Sequence, residues 1–305
     1  MEAVIYYAST DGIGLERMIR KGRFNMHMKH FHNQYEIFFL LEGERRFFFD
    51  NRSYLVKGGS LILVDENAIH MTMAGSEDEY GHDRIILYVD REKMKEFDRI
   101  FPNLNLVKFF HDHYGVYPLS KSQQQDFIDL YLRLQDELDN KKRNYKAMID
   151  MEIIRYFIGF MREKHVPALE NSEVQDTARY QNIYAVADFI SRNFEKSFTL
   201  DQLSAQFYIS KYYLSRTFKE ITGYGINEYI NIHRIRKAKQ LLEETDMSVS
   251  KIAHTLGYES VTYFEKVFKM YMTLSPLKYR KTRNTVTYKN DTDLLVKQTQ
   301  DRRKP

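Results

Sequence analysis

Two groups of side chains in this sequence have types and spacings suited to chemistry. The first is His30, His32 and Glu36, with His70 further along. Positions 30, 32 and 36 share one parity, so a strand pleat directs all three to one face while His70 arrives from another strand. Three imidazoles and one carboxylate would form a competent site for a borderline divalent metal. The second group is Lys211, Tyr212, Ser215, Arg216 and Lys219, followed after some fifty residues by Val261, Thr262, Glu265, Lys266 and Lys269. In the first set these side chains face outward from a short helix, and exposed basic groups of this kind suit a polyanion. A second His-X-His, His111-Asp112-His113, stands near a Tyr-Gly turn with no third partner, which points to a surface loop. Other chemistries drop out. The chain has no cysteine, which excludes disulfides, thiolate metal sites and cysteine nucleophiles. It shows neither a phosphate-cradling glycine loop nor a Ser/His/Asp nucleophile set.

The elements that must position these groups fall into regions of opposite charge. Residues 1–179 hold 25 Lys and Arg against 29 Asp and Glu, a net of −4, whereas residues 180–285 hold 16 against 10, a net of +6. The remainder, from 286 onward, is net +2. A basic C-terminal third on an acidic body suggests that the C-terminal part meets a polyanion. The 305 residues make about two domains, and 43% hydrophobic residues suffice for real cores. The longest apolar run near the N-terminus, Ile37 to Leu41, is far short of the roughly 20 residues that span a bilayer. Residues 1–30 lack the pattern of a secretory signal, and the absence of cysteine suits a reducing compartment. A cytoplasmic protein with no membrane partner is the expectation.

Residues 24–89 read as short strands: Tyr35 to Leu41, Arg45 to Phe49, Tyr54 to Val56, Leu61 to Val64 and Ile85 to Val89, punctuated by Gly43, Asp50-Asn51 and Gly58-Gly59. This pattern predicts an antiparallel barrel or sandwich. The period then changes. Phe127, Leu130, Tyr131, Leu134 and Leu138 recur at steps of three and four, as do Ile149, Ile153, Ile154, Phe157, Ile158 and Met161. These are two amphipathic helices, joined by a turn over 139–144, that cover the barrel or pair with the same helices of a second subunit. Residues 164–179 lose the period and read as a linker, and 282–305 is polar and basic, a flexible tail.

From Tyr180 onward only helices are expected. Thr199 and Ser210 stand as N-caps on either side of a Phe207-Tyr208-Ile209 turn, with Leu203, Ile209, Leu214 and Phe218 as the shared seam. About fifty residues later the design repeats: Ser248 opens a helix, Leu256-Gly257-Tyr258 makes the turn and Ser260 opens the next helix. Gly257 suits a positive-φ position between steeply angled helices. Between the copies, residues 227–242 read as one long helix with Tyr229, Ile232, Ile235 and Leu241 apolar and Arg234, Arg236, Lys237 and Lys239 as its charged positions.

Five of these stretches, in order, resemble the DNA-binding domain of AraC/XylS-type transcriptional regulators over about 180–281. They are Phe218-Lys219-Glu220-Ile221-Thr222-Gly223, Arg234 through Leu242, Ile252-Ala253 with Gly257-Tyr258, Tyr263-Phe264 with Phe268-Lys269, and Ser275-Pro276 with Tyr279-Arg280. One departure is Met272-Thr273, where the family has a glycine shortly before Ser-Pro. The resemblance implies that two recognition helices enter successive major-groove segments about one helical turn apart. It places base contacts at Tyr212, Ser215 and Arg216 in the first unit and at Val261, Thr262, Glu265 and Lys266 in the second. The strand region, over roughly 20–90, resembles the two cupin motifs. His30-X-His32-X3-Glu36-X6-Gly43 is intact, whereas the second motif keeps His70 but carries Asp65, Asn67 and Ala74 in place of proline, glycine and asparagine.

What the resemblance implies is an α+β multidomain regulator. A cupin-like antiparallel β-barrel would occupy 1–118, a helical dimerisation segment 119–163, a linker 164–179, an all-α domain with two helix-turn-helix motifs 180–281, and a basic tail 282–305. The barrel would receive a carbohydrate-related effector at His30, His32, Glu36, His70, Phe24 and Phe38. In many such sensor domains the histidines hold no metal, and a divalent ion on His30, His32, Glu36 and His70 is the one cofactor left open. The expected partners are double-stranded promoter DNA, the effector, a second copy of the chain and, if the outcome is activation, RNA polymerase. The enzymatic alternative is a metal-dependent cupin isomerase or dioxygenase. The eroded second motif and the complete DNA-binding module oppose it, so no enzyme is expected.

Overall fold

The computed structural model describes residues 2–22, 34–66, 68–75, 81–163 and 178–281. Its N-terminal strands are β1 (Glu2–Thr10), β2 (Ile13–Arg20), β3 (Gln34–Glu42), β4 (Glu44–Phe49), β5 (Arg52–Lys57), β6 (Ser60–Val64), β7 (His70–Ala74), β8 (His82–Asp90) and β9 (Gly115–Pro118). All pairings are antiparallel. Period-2 alternation gives each strand two faces. On the six-stranded sheet, ordered β1-β2-β8-β3-β6-β9, Ile37, Phe39, Leu61, Leu63, Ile85 and Leu87 face one core. Phe38, Leu40, Ile62 and Ile86 face the other, which they share with Phe47, Phe49, Tyr54 and Val56 of the three-stranded sheet β5-β4-β7.

The expected barrel does not close. Among the described residues β1 and β9 end the large sheet and β5 and β7 end the small one, with no pairing between the two sheets. The physical reason lies in strands the sequence reading did not assign. The β1–β2 hairpin and β9 widen one sheet to six strands against three, so the two stack face to face as a sandwich. The turn between β4 and β5 is as expected: Asp50 and Asn51 both take positive φ, at 49° and 58°, as a tight hairpin requires.

Helices α1 (Arg91–Ile100), α2 (Leu106–His113), α3 (Lys121–Asn140) and α4 (Tyr145–Arg162) cover the outer face of the large sheet. The two amphipathic stripes read from the sequence are the buried faces of α3 and α4, apart from Ile158 and Met161, which are only partly covered. A reciprocal capping box between Ser120 and Gln123 opens α3. His111-Asp112-His113 corrects the loop expectation: it is the last turn of α2, where Leu106 and Phe110 anchor the helix. The His113 ring stacks on Phe109 at 4.8 Å. Among the described residues no helix is long and apolar enough to cross a membrane.

The C-terminal domain is all helix: α5 (Ala178–Asn193), α6 (Leu200–Gln206), α7 (Lys211–Thr222), α8 (Ile226–Glu244), α9 (Val249–Thr255), α10 (Val261–Met272) and α11 (Pro276–Lys281). Thr199 caps α6 reciprocally with Gln202, Ser248 accepts from the Lys251 N–H and Ser260 from the Tyr263 N–H. Leu203, Ile209, Leu214 and Phe218 are buried together, as are Ile252, Leu256, Phe264 and Phe268 of the second unit. The charged positions read on α8 divide. Arg234 and Lys239 are buried, and Arg234 turns inward to donate to the carbonyls of Phe194 at 2.6 Å and Lys196 at 3.1 Å, closing the C-terminal end of α5. The missing glycine before Ser275 is replaced by Thr273, which takes the left-handed cap of α10 at φ 60°. The linker and tail expected at 164–179 and 282–305 fall, but for residues 178 and 179, outside the described residues.

Candidate nucleic-acid interface and sensor site

Helix α7 buries Leu214, Thr217, Phe218 and Ile221 and turns Lys211, Tyr212, Ser215, Arg216 and Lys219 to solvent. All five first-unit candidates therefore share one open face, which with Leu200 and Glu220 forms a shallow groove. Lys211 also pairs with Asp201 of α6 at 2.6 Å, which braces the two helices of the unit. On α10, Thr262, Lys266 and Lys269 are exposed while Val261 and Glu265 are half-buried, so the second reading face is narrower. Tyr208, which the sequence reading used only as a turn residue, stands 97% exposed at φ 54°. Its alignment with Gly257 was the signal that this position needs a left-handed backbone.

The space between the two sheets is charged at one end. Registry puts Arg20, Met18 and Glu16 of β2 beside His82, Arg84 and Ile86 of β8, and Glu36 of β3 beside Tyr88. Arg45, Thr72 and His70 arrive from the small sheet on the same parity as Phe47 and Phe49. Arg84 pairs with Glu16 at 2.7 Å, and Arg45 donates to the Thr72 hydroxyl at 3.1 Å. Burial, with Arg20 and Arg84 nearby, lowers the Arg45 pKa to about 9, and burial beside Arg45, Arg84 and Arg20 lowers that of His82 to about 2. Glu16, Arg20, Arg45, His82 and Arg84 all escaped the sequence reading. For Glu16, Arg20, His82 and Arg84 the signal was the alternation along β2 and β8, two strands of which only the apolar part of β8 was assigned; Arg45 opens the expected strand Arg45 to Phe49, on the parity of Phe47 and Phe49.

Of the six effector candidates, Phe24, His30 and His32 lie outside the described residues. The structure brings Glu36 and His70 together, Nε2 to Oε2 at 3.2 Å, with His70 Nδ1 3.0 Å from the Ala68 carbonyl. Phe38 packs edge-on against Phe47 at 4.9 Å. A ring whose two nitrogens face a carbonyl and a carboxylate is suited to the doubly protonated form. Burial opposes that charge, but the Glu36 hydrogen bond and attraction, with the Ala68 carbonyl, outweigh it and raise the His70 pKa. As for a metal, Glu36 and His70 meet each other directly, and among the described residues no three His, Asp or Glu side chains stand close enough to hold an ion.

The sign of the resulting pH effect follows. A raised folded pKa stabilises below the unfolded pKa near 6.5, and the contribution is lost as pH rises through the folded value. Glu36→Gln will bring the His70 pKa below its ordinary value, because burial then acts unopposed by a carboxylate. An imidazole titration of the two proteins by NMR checks this, and an unchanged His70 titration would refute it.

The outer face of the small sheet belongs to the other domain. Phe48, Met71 and Met73 join the helical core, with Met71 set against Gly223 at the end of α7. Tyr224 donates its hydroxyl to the His70 carbonyl at 2.6 Å, and Ser53 donates its N–H to the Tyr184 hydroxyl and its hydroxyl to the Ile221 carbonyl. Arg52 pairs with Asp188 at 3.1 Å, and Arg91 bridges Glu66 to Glu243 of α8. A cleft of about 820 Å³ opens at this junction, beside α8.

Comparison with known proteins places two families on the chain. Residues 18–118 match an AraC-like ligand binding domain and residues 203–282 a helix-turn-helix domain. The multiple antibiotic resistance protein MarA of Escherichia coli K12 is 32% identical over 33% of this chain and 79% of its own length. The uncharacterized HTH-type transcriptional regulator YijO of the same organism is 34% identical over 38% of this chain, a match that spans only 42% of YijO. YisR of Bacillus subtilis 168, another uncharacterized HTH-type transcriptional regulator, is 23% identical over 87% of this chain and 91% of its own.

Proposed function

Since the chain belongs to the AraC/XylS family of transcriptional regulators, we propose that α7 and α10 seat in successive major-groove segments of promoter DNA under the control of a carbohydrate-related effector. The protein is a DNA-binding regulator with a ligand-binding domain. The observation that carries the reading is the open face of α7. The sensor domain packs at its far end, around Ile221 and Gly223, and leaves Lys211 to Lys219 free to meet a duplex. Arg216 suits guanine, whose O6 and N7 match its fork, while Lys219 and Lys269 suit phosphates.

The effector would enter the inter-sheet space at Glu36, His70 and Phe38. β7 supports a route outward, because His70 and Thr72 point into that space while Met71 and Met73 fill the helical core. A ligand acts only by binding one arrangement better than another. Here, displacing the His70 ring would shift the strand that holds Gly223 and Tyr224. Exposed Leu132, Met148 and Met151 on α3 and α4 support a second copy as partner, and RNA polymerase is the further partner if the outcome is activation.

The test is binding to an operator selected from random duplexes. Arg216→Ala will weaken it by about 1–3 kcal/mol and relax the preference at one base position, whereas Lys219→Ala will weaken all sequences alike and lower the salt slope by about one. Unchanged gel-shift affinity for Arg216→Ala would remove that contact. A full-length protein with no preference among duplexes would remove the function.

A further inference from the structure

Three strands that line the inter-sheet space end at one place. Glu36 of β3 pairs across to Val64 of β6 on one side and to Tyr88 of β8 on the other, and Gln34 donates to Asp90 at 2.6 Å. Glu66 lies two residues beyond Val64, and Arg91 follows Asp90 as the first residue of α1. Arg91 holds Glu66 through Nε at 2.5 Å, and its Nη1 reaches the helical domain, 2.8 Å from Glu243 Oε2 in the last turn of α8. Oε1 of Glu243 accepts from the hydroxyl of Tyr279 of α11, whose ring meets Phe268 of α10 edge-on at 5.6 Å. One carboxylate therefore divides its two oxygens between the sensor and the second helix-turn-helix unit.

The charges at this contact balance. Arg91 and the buried Lys239 of α8 face Glu66 and Glu243. Burial favours the neutral form of Glu243, but Lys239, Tyr279 and Arg91 outweigh it and hold its pKa below the ordinary value. Without Arg91, Glu66 and Glu243 would repel each other across the domain boundary, with Lys239 alone of the four to offset them. Other contacts tie the sensor to the first unit: Tyr224 to the His70 carbonyl, the Ile221 carbonyl to Ser53 and Asp188 to Arg52. Arg91 instead holds the far end of α8 and, through Glu243, α11.

We infer that Arg91 is a positioning residue for the second recognition helix: it clasps the strand ends of the effector space to α8 and α11, and so holds α10 where it meets DNA. The inference rests on reading the chain as a regulator that uses both units, and it adds that the sensor addresses them separately. β7 acts on the first unit through His70 and Tyr224, while β6 and β8 act on the second through Glu66 and Arg91. Glu36 stands where both routes begin, paired with His70 and in register with Val64 and Tyr88. A second unit already held in place loses less freedom on binding, so the clasp tightens the DNA complex.

The experiment compares two duplexes on the full chain: an operator selected from random sequence, and the same operator with its second major-groove segment scrambled. Arg91→Met should weaken the intact operator about tenfold and leave affinity for the half-scrambled duplex within about twofold. Arg91→Lys, which keeps the charge without the fork, should recover part of the loss. Glu243→Gln acts on the same contact, so the double variant should bind no more weakly than the weaker single one. The losses from Arg91→Met and Tyr224→Phe, at separate contacts, should multiply. In the free protein, Arg91→Met should quicken amide exchange over 241–244 and 276–281 and leave 221–224 unchanged. Equal loss on both duplexes, no loss, tighter binding, or independent effects of Arg91→Met and Glu243→Gln would each overturn the inference. Operator selection by the wild type is measured first; its failure removes the regulator reading, whereas the outcomes just named remove the clasp alone.

Discussion

Gly257→Ala will destabilise the second helix-turn-helix unit by about 4 kcal/mol. Two costs of about 1–3 kcal/mol each combine, one for a non-glycine residue held in the left-handed region and one for overpacking. Gly257 takes φ 79°, and a Cβ there would sit well inside contact distance of the Glu195 carbonyl oxygen and 2.8 Å from Arg234 Nη2. Neither neighbour can yield cheaply. The first is backbone, and the second is fixed by its hydrogen bonds to Phe194 and Lys196. The equivalent position in the first unit makes the contrast. Tyr208 also has positive φ, but it stands in solvent, so Tyr208→Gly will change stability by less than about 1 kcal/mol. Denaturant titration of the three proteins checks the pair, with footprinting to show protection shrinking to one groove segment for Gly257→Ala. Equal midpoints would mean that the α9–α10 turn can open without loss.

Acidification from pH 6.5 to 5 will destabilise both domains at up to about 1.4 kcal/mol per pH unit for each buried histidine. Burial, with repulsion from Arg45, Arg84 and Arg20, pushes the pKa of His82 in the sensor down to about 2, and burial, with repulsion from Arg236, pushes that of His233 in the helical domain down to about 3. In the unfolded chain both take up a proton near 6.5, so below that pH the unfolded state binds more protons and gains at the expense of the folded one. The loss continues until the folded values are reached. Above pH 5 most carboxylates remain ionised, which isolates the histidine contribution. Thermal melts across this window should fall steadily with pH, and His233→Leu should flatten the slope of the helical domain. A melting temperature independent of pH between 6.5 and 5 would refute the buried neutral state of both rings.

The opposite signs of His70 and His82 show how far a residue's type stops short of its role. Burial disfavours the charged form of both rings, yet Glu36 and the Ala68 carbonyl outweigh it at the first while three guanidinium groups add to it at the second. No spacing rule distinguishes them. Arg234 and Lys239 make the same point on α8, where they read as surface charges and are buried. α1 and α2 were missed for a simpler reason, since their apolar stripes are only two or three residues each.

Local order was legible in the amino-acid sequence alone: the caps at Thr199, Ser248 and Ser260, the Gly257 turn, the paired seams of the two helix-turn-helix units, the stripes of α3 and α4 and the strands richest in aromatic residues. Each of these depends on neighbours within a few positions, where backbone geometry and side-chain period act directly. The tertiary structure alone decided that the sheets stack instead of closing, that Glu16, Arg45, His82 and Arg84 share an interior with Glu36 and His70, and that β7 serves two cores at once. It also decided that His233 of α8 is buried between Phe194 and Tyr229. Those outcomes depend on partners tens to more than a hundred residues away in the chain, because the charge and hydrogen bonding of a buried group are set by whatever the fold brings against it.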